Sequence, residues 1–276
     1  MLKSNGIHHL AIMTADMKAH VDFWSDVLGA KLVAMYYMHG TDGYFHCFME
    51  LNGPANGKPA CHVAFVQCPG IEKIPSEVGV THAGNVLAPS SAGTMQHFAV
   101  NVDTEEELLA MRDRIRSKGV RVQGPLDHGF CQSIYFAGPE NTVLEVCSSL
   151  GRDISGESWV DPVVQEKLGI SDEELAAYKN PKDYSNPSGP IPQPPISDGK
   201  PIYAGMPDRY SATWDWSDEE VFEKLSEPTP VINDTVPLEG FVITLYVSTS
   251  PSTSEAGNVP LYSVSSLVVT VSADAT

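Results

Sequence analysis

The chain has 276 residues, 42% of them hydrophobic, and carries 35 acidic against 17 basic side chains, a formal charge of −18. That supplies apolar material for one sizeable core or two small ones, while a charge of this sign argues against nucleic acid or an anionic membrane as partner, because phosphate binding needs a basic face. The opening MLKSNGIHHL has no long apolar run of the signal-peptide kind, no stretch approaches the length of a membrane span, and five cysteines without CxxC spacing (Cys47, Cys61, Cys68, Cys131, Cys147) read as the reduced thiols of a cytoplasmic protein.

The first element is GIHHLAIMT, Gly6 to Thr14, in which His9 is followed by Leu10, Ala11 and Ile12, the pattern of a mostly buried strand. Strand alternation sends His8 and His9 to opposite faces. A helix is expected from Asp16 to Leu28, with Asp16 as N-cap, apolar Val21, Phe23, Trp24, Val27 and Leu28 at roughly helical spacing, His20 on its surface and Gly29 at the C′ position. Strand candidates follow at Lys31 to Met38, Tyr44 to Leu51 and Cys61 to Gln67.

A second unit begins at TMQHFAVNV, Thr94 to Val102, where His97-Phe98-Ala99-Val100 aligns without a gap on His9-Leu10-Ala11-Ile12. Thr104 and Glu107 form a capping box, Leu108, Met111 and Ile115 share one helical face, and Lys118-Gly119 ends the run. Gly29 lies 20 residues beyond His9, and Gly119 lies 22 beyond His97. Further strands are expected at Arg121 to Gln123, Gln132 to Phe136 and Thr142 to Cys147. The chain thus repeats strand, helix and three strands, an α+β architecture. An imidazole on such a strand is either a satisfied core group or a metal ligand.

Two βαβββ units with a histidine on each first strand, Leu28-Gly29 closing the first helix and a final strand reading Gly138-Pro139-Glu140-Asn141-Thr142-Val143-Leu144-Glu145 resemble the vicinal-oxygen-chelate superfamily of glyoxalases, bleomycin-resistance proteins and type I extradiol dioxygenases. The resemblance covers roughly residues 6 to 150, with modules at about 6–68 and 94–148. It implies a half-open mixed β-barrel into which His9, His97 and Glu145 converge as metal ligands. Two imidazoles and one carboxylate on one face of a divalent ion leave up to three positions open, a set suited to Fe(II) and also to Mn(II). Glu145 lies inside the apolar run Val143-Leu144-Glu145-Val146, where an unpaired carboxylate would be costly to bury.

The last strand of the first module has no acidic residue between Glu50 and Glu72, which speaks against a glyoxalase-type four-ligand site. Extradiol enzymes carry a histidine acid/base there, and His62 is the candidate, with Cys61 as the alternative register and a plain surface histidine as the bland reading. The run from Asp127 to Glu145 is similar to the extradiol signature, with His128, Ile134, Tyr135, Pro139 and Glu145 at compatible spacings, while Gly138 and Asn141 depart from it. By that resemblance His128 and Tyr135 would act on the bound substrate, the imidazole taking a catechol proton and the hydroxyl holding a phenolate oxygen. Otherwise they are a solvated loop histidine and a packed strand aromatic. Trp24, Tyr36, Tyr37, Phe45 and Phe48 could line a ring-shaped pocket or serve as core.

The implied activity is extradiol cleavage of a catechol-like diol by O₂, in a homo-oligomer, by default a dimer. The other readings are an oxygen-independent metalloenzyme of the same superfamily (epimerase, lyase or thiol transferase) and a ligand-sequestering resistance protein, against which the three candidate ligands speak. Beyond residue 150 the organisation changes. Segment 151–230 holds two capping boxes, at Ser171 and Ser217, around a Pro-rich stretch (186–201), with Trp214 and Trp216 arguing that some of it packs. Segment 231–276 is β-rich, with a strand pair expected in Phe241 to Thr249 and Tyr262 to Val271.

Overall fold

The computed structural model describes residues 4–38, 41, 43–54, 60–185, 189–195, 212–226, 241–246 and 266–271. The chain separates into two compact units, 1–225 and 226–276.

In the first unit the repeat takes physical form twice. Strand β1 (His9–Met13), helix α1 (Met17–Asp22) and strands β2 (Lys31–Tyr37), β3 (Phe45–Asn52) and β4 (Cys61–Gln67) make one module, whose sheet runs β1-β4-β3-β2. Strand β5 (Phe98–Asn101), helix α2 (Glu105–Ser117) and strands β6 (Gln123–Asp127), β7 (Gln132–Ala137) and β8 (Val143–Ser148) make the other, ordered β5-β8-β7-β6. In each sheet the first strand pairs parallel with the last and the remaining pairs are antiparallel. These are two open four-stranded mixed sheets, the βαβββ modules the sequence predicts.

The helix starts follow the expected chemistry. Asp16 Oδ1 accepts the N–H of Ala19 at 2.9 Å, and Thr104 and Glu107 exchange both bonds of their capping box. The first helix is not uniform, because its second half, Phe23–Val27, widens into a π-type turn that ends at Gly29 (φ +80°). His20 is not on the surface. It is 1% exposed, packed 4.3 Å from the Phe65 ring, since α1 turns that side toward the sheet.

One core serves both modules. Val63, Phe65, Cys47 and Met49 from the first sheet and Ile134, Leu144 and Val146 from the second pack with Trp24, Leu108 and Ile115 of the helical segments. Trp24 lies 6.0 Å from Phe65 and 5.9 Å from Phe98, so a single indole joins the two sheets. It belongs to the core and not to a pocket. Arg114 of α2 adds a polar tie, donating to the carbonyls of Val27 at 2.8 Å and Asp26 at 2.9 Å. With the helices covering one face of each sheet, the other faces stay open for chemistry.

Strand β6 begins where the expected strand, Arg121 to Gln123, ends, and it runs through Pro125. A proline is tolerated because β6 is the edge of its sheet, where a missing N–H breaks no inner ladder. The pairing shifts between Gln123 and Leu126, and Gly124 (φ +110°) occupies that bulge with the carbonyl of Ser133 only 2.6 Å from where a Cβ would stand. In the turn before β8, Glu140 (φ 54°) and Asn141 (φ 59°) are both left-handed. Asparagine tolerates that conformation better than most residues other than glycine.

After residue 150, α3 (Pro162–Lys167), α4 (Asp172–Lys179) and α5 (Asp218–Leu225) follow, α4 and α5 with the expected serine capping boxes. Trp216 is half-buried, with the Lys224 ammonium 4.5 Å over its ring, and Trp214 is 41% exposed. Within the Pro-rich stretch, residues 189–195 form no helix or strand and the rest lies outside the described residues. In the second unit β9 (Phe241–Tyr246) and β10 (Ser266–Val271) pair antiparallel, within the two runs the sequence singles out. No helix among the described residues is long and apolar enough to cross a membrane.

Candidate active site

The cross-strand register decides which side chains can meet. In the second module Ala99, Glu145 and Tyr135 are successive partners across β5, β8 and β7, so Glu145 and Tyr135 point to one face while Leu144 and Val146 point into the core. Glu145 is 5% exposed, and the imidazole of His97, the residue just before β5, brings Nε2 to 2.8 Å from Glu145 Oε2. The Tyr135 hydroxyl reaches His128 Nε2 at 2.9 Å and also bonds Glu145. A phenol can donate only one hydrogen bond, so with the proton directed at Glu145 the His128 N–H donates to the phenol oxygen. Burial, offset by a bond with the Ser133 hydroxyl and reinforced by the charge of Glu145, raises the Tyr135 pKa, which keeps the phenol neutral at physiological pH. His97, Glu145, Tyr135 and His128 thus form one connected cluster.

The His97 ring carries a further constraint. Its Nδ1 faces Oε1 of Gln96, whose Nε2 donates to the carbonyl of Asn85 at 3.3 Å. Because a carbonyl can only accept, the Asn85 contact fixes which end of the Gln96 amide meets His97. Both imidazole nitrogens therefore face acceptor oxygens. A neutral ring can satisfy only one of them with its own proton; with that proton on Nδ1, a cation shared by Nε2 and Glu145 satisfies the other. Two donors in adjacent positions of an octahedral ion at about 2.1 Å stand roughly 3 Å apart, close to the 2.8 Å found here. This pair fits a divalent ion.

The third expected ligand does not join them. Among the described residues no three His, Cys, Asp or Glu side chains come together as an ion would require. His9 is exposed, with its Nδ1 2.9 Å from Nδ1 of His8 and its ring 5.4 Å from Phe48. His8 is not on the opposite face as alternation suggests, because β1 begins only at His9 and the preceding residue is free to fold beside it. The register does resolve His62. It pairs directly with His9, which places it, and not Cys61, on the His9 face, with Glu50 its partner on the far side.

That face of the first module also holds Tyr36, His46 and Phe48, while Tyr37 and Phe45 point to the other side. Tyr36 stacks on Phe48 at 6.3 Å and the His46 ring lies 4.5 Å from Phe48. His46 is 9% exposed, and burial, together with the nearby charge of His9, lowers its pKa. The alternation His46-Phe48-Glu50 in a strand of otherwise core residues is the signal in the sequence that could have marked it. His82 is half-buried with Nδ1 3.0 Å from the Thr81 hydroxyl, and His39 lies outside the described residues.

The segment after the modules contributes as well. Arg152 grips Asp127 through two bonds, 2.6 and 3.0 Å, and also donates to the Gly129 carbonyl at 3.3 Å, while Trp159 stands edge-on to Phe130 at 5.3 Å. The turn carrying His128 is clamped from residues 152–159, which no spacing in the sequence announces.

Over residues 6–146 the chain matches the family described as Glyoxalase/Bleomycin resistance protein/Dioxygenase superfamily. It is 25% identical to biphenyl-2,3-diol 1,2-dioxygenase 2 of Rhodococcus globerulus over 212 residues, 76% of this chain and 87% of that one. It is 34% identical over 174 residues to the provisionally named ring-cleaving dioxygenase MhqA of Bacillus subtilis (strain 168), spanning 62% of this chain and 47% of that protein. Among solved structures, a glyoxylase/bleomycin resistance protein/dioxygenase domain from Frankia sp. EAN1pec aligns with a TM-score of 0.41 at 13% identity, over 53% of this chain and 99% of that one. Because the family match over residues 6–146 spans both modules, the chain belongs to the glyoxalase/bleomycin resistance protein/dioxygenase superfamily.

Proposed function

We propose that this protein is an extradiol dioxygenase that cleaves a catechol-like aromatic diol with O₂, using a divalent ion, Fe(II) or Mn(II), held by His97, Glu145 and His9. The observation that carries the reading is the cluster in which both nitrogens of His97 face acceptors and Glu145 also meets a neutral Tyr135 that is in turn bonded to His128. The relatedness to ring-cleaving dioxygenases supports it. His9 would have to turn from His8 to complete the set.

An ion bound there supplies the Lewis-acid and one-electron chemistry of ring cleavage. The chain's own residues handle the diol. Tyr135 is placed to donate to a phenolate oxygen brought beside Glu145, and His128, whose N–H bonds the same hydroxyl, can pass a proton to it. On the facing module Phe48 and Tyr36 offer aromatic surface for the ring, and His62 is the candidate acid or base on that side. Five free cysteines suit a cytoplasmic setting, and a homo-oligomer completes the proposal from the family resemblance.

The test is oxygen uptake by anaerobically Fe(II)-reconstituted protein given a panel of catechols, with the absorbance of the product followed in parallel. Uptake with a yellow ring-cleaved chromophore is expected. Protein that holds one ion per chain and consumes no oxygen with any diol would move the assignment to an oxygen-independent enzyme of the same superfamily.

A further inference from the structure

The residue before His97 has a role that neither the repeat nor the ligand set assigns. Gln96 is half-buried and its amide is anchored at both ends. Its N–H donates to the Asn85 carbonyl, and its oxygen faces His97 Nδ1. Asn85 is itself held in a turn, its side chain accepting the Leu87 N–H at 2.9 Å and its carbonyl the Ala88 N–H at 3.1 Å. Gly84, Asn85 and Val86 also line a cavity with Tyr135 and Val143.

We infer that Gln96 is a positioning residue, fixing His97 as its Nδ1–H tautomer and so reserving the Nε2 lone pair for a divalent ion shared with Glu145. The inference rests on the metal reading above. Without the Gln96 oxygen, the neutral ring gains by placing its proton on Nε2 and donating it to Glu145, and that bond consumes the electron pair the ion needs. A hydrogen-bond acceptor behind a ligating histidine orients the ring and raises its basicity, and losing it typically costs about 10–100-fold in metal affinity. The Asn85 carbonyl prevents the amide from flipping to present its own N–H to His97.

The test compares wild type, Gln96→Leu and Gln96→Glu by Mn(II) titration calorimetry and by ¹⁵N spectra of the His97 ring in metal-free protein at pH 8. Gln96→Leu should weaken Mn(II) by about 10–100-fold and move the His97 proton to Nε2. Gln96→Glu keeps an acceptor oxygen and should keep both the affinity and the Nδ1–H signature, a rescue that a merely packing role would not give. Wild-type affinity in Gln96→Leu, or an Nε2–H ring in the wild type, overturns the inference. Should the wild type bind no Mn(II) at all while His97 reads Nδ1–H and loses that state in Gln96→Leu, the metal reading fails and the assignment of Gln96 as tautomer-setting residue stands.

Discussion

Glu140 of the second module reaches across to the first and bonds the buried His20, Oε2 to Nε2 at 3.0 Å, while its Oε1 accepts the N–H of Ala15 at 2.8 Å. The left-handed backbone at Glu140 aims the carboxylate at the start of α1, where it meets the Thr14 hydroxyl as well. With Trp24 inside and Glu140 at the surface, the two modules are joined by an apolar bridge and a polar one.

Removing the polar bridge should cost stability with little change in fold. Glu140→Ala leaves the Ala15 N–H and the His20 N–H without their acceptor, and hydrogen bonds to a charged group are worth about 1.5–3 kcal/mol. The carboxylate is about one-third exposed, so the lower part of that range is expected. Urea unfolding should show a lower midpoint at unchanged slope; an unchanged midpoint would mean the modules are held without Glu140.

The same pair makes stability fall in mild acid. Burial holds the His20 pKa below its ordinary 6.5, although the charge of Glu140 pulls it up. Burial raises Glu140, but bonds from Thr14, Ala15 and His20 outweigh it and hold that carboxyl below its ordinary 4.5. Both folded pKa values are depressed, so below pH 6.5 for His20 and below 4.5 for Glu140 the unfolded chain binds more protons than the folded one, and stability drops with pH. His20 Nδ1 is buried without a partner among the described residues, consistent with a ring that stays neutral. Melting temperature should decline from pH 7.5 to 5.5, and His20→Gln should flatten that decline; an equal slope in the variant would exclude His20 as its source.

The repeat, both helix starts and every strand but β6 are legible in the sequence because they rest on local rules of periodicity and capping. His97, Glu145, Tyr135 and His128 are legible for a related reason, since the register of one sheet brings positions of fixed spacing together. What the sequence hides is what depends on contacts between segments. His20 reads as a surface residue until Glu140 arrives from residue distance 120. His8 reads as facing away until the strand is seen to begin one residue later. Whether His9 can join His97 and Glu145 as a third candidate ligand depends on how two sheets approach, which no periodicity encodes.

The clamp on the His128 turn offers a test away from the candidate ligands. Gly129 (φ +85°) has no room for a side chain, because a Cβ there would stand 2.8 Å from the Trp159 ring. Gly129→Ala should push Trp159 off Phe130 and loosen His128, and Arg152→Met should do so by releasing Asp127. In the proposed reaction both variants should lower turnover about 10-fold or more through misplacement of one acid/base group, while ion content stays at the wild-type level. Full turnover in both would show that residues 152–159 have no part in the chemistry.

Tyr135 and His97 separate the two halves of the proposed reaction. Tyr135→Phe keeps the ring against His97, at a centroid distance of 6.2 Å, and removes only the hydroxyl that bonds His128 and Glu145. The ion should remain, because a phenol that only donates to Glu145 is not one of its ligands, yet ring cleavage should fall by about 10²-fold or more as the proton path to His128 is lost. His97→Ala should do the reverse in order, removing the ion first and activity with it. Metal analysis of each purified variant beside its oxygen uptake distinguishes them. Stoichiometric ion in His97→Ala would sink the ligand set, and undiminished uptake in Tyr135→Phe would leave His128 without a route to the substrate.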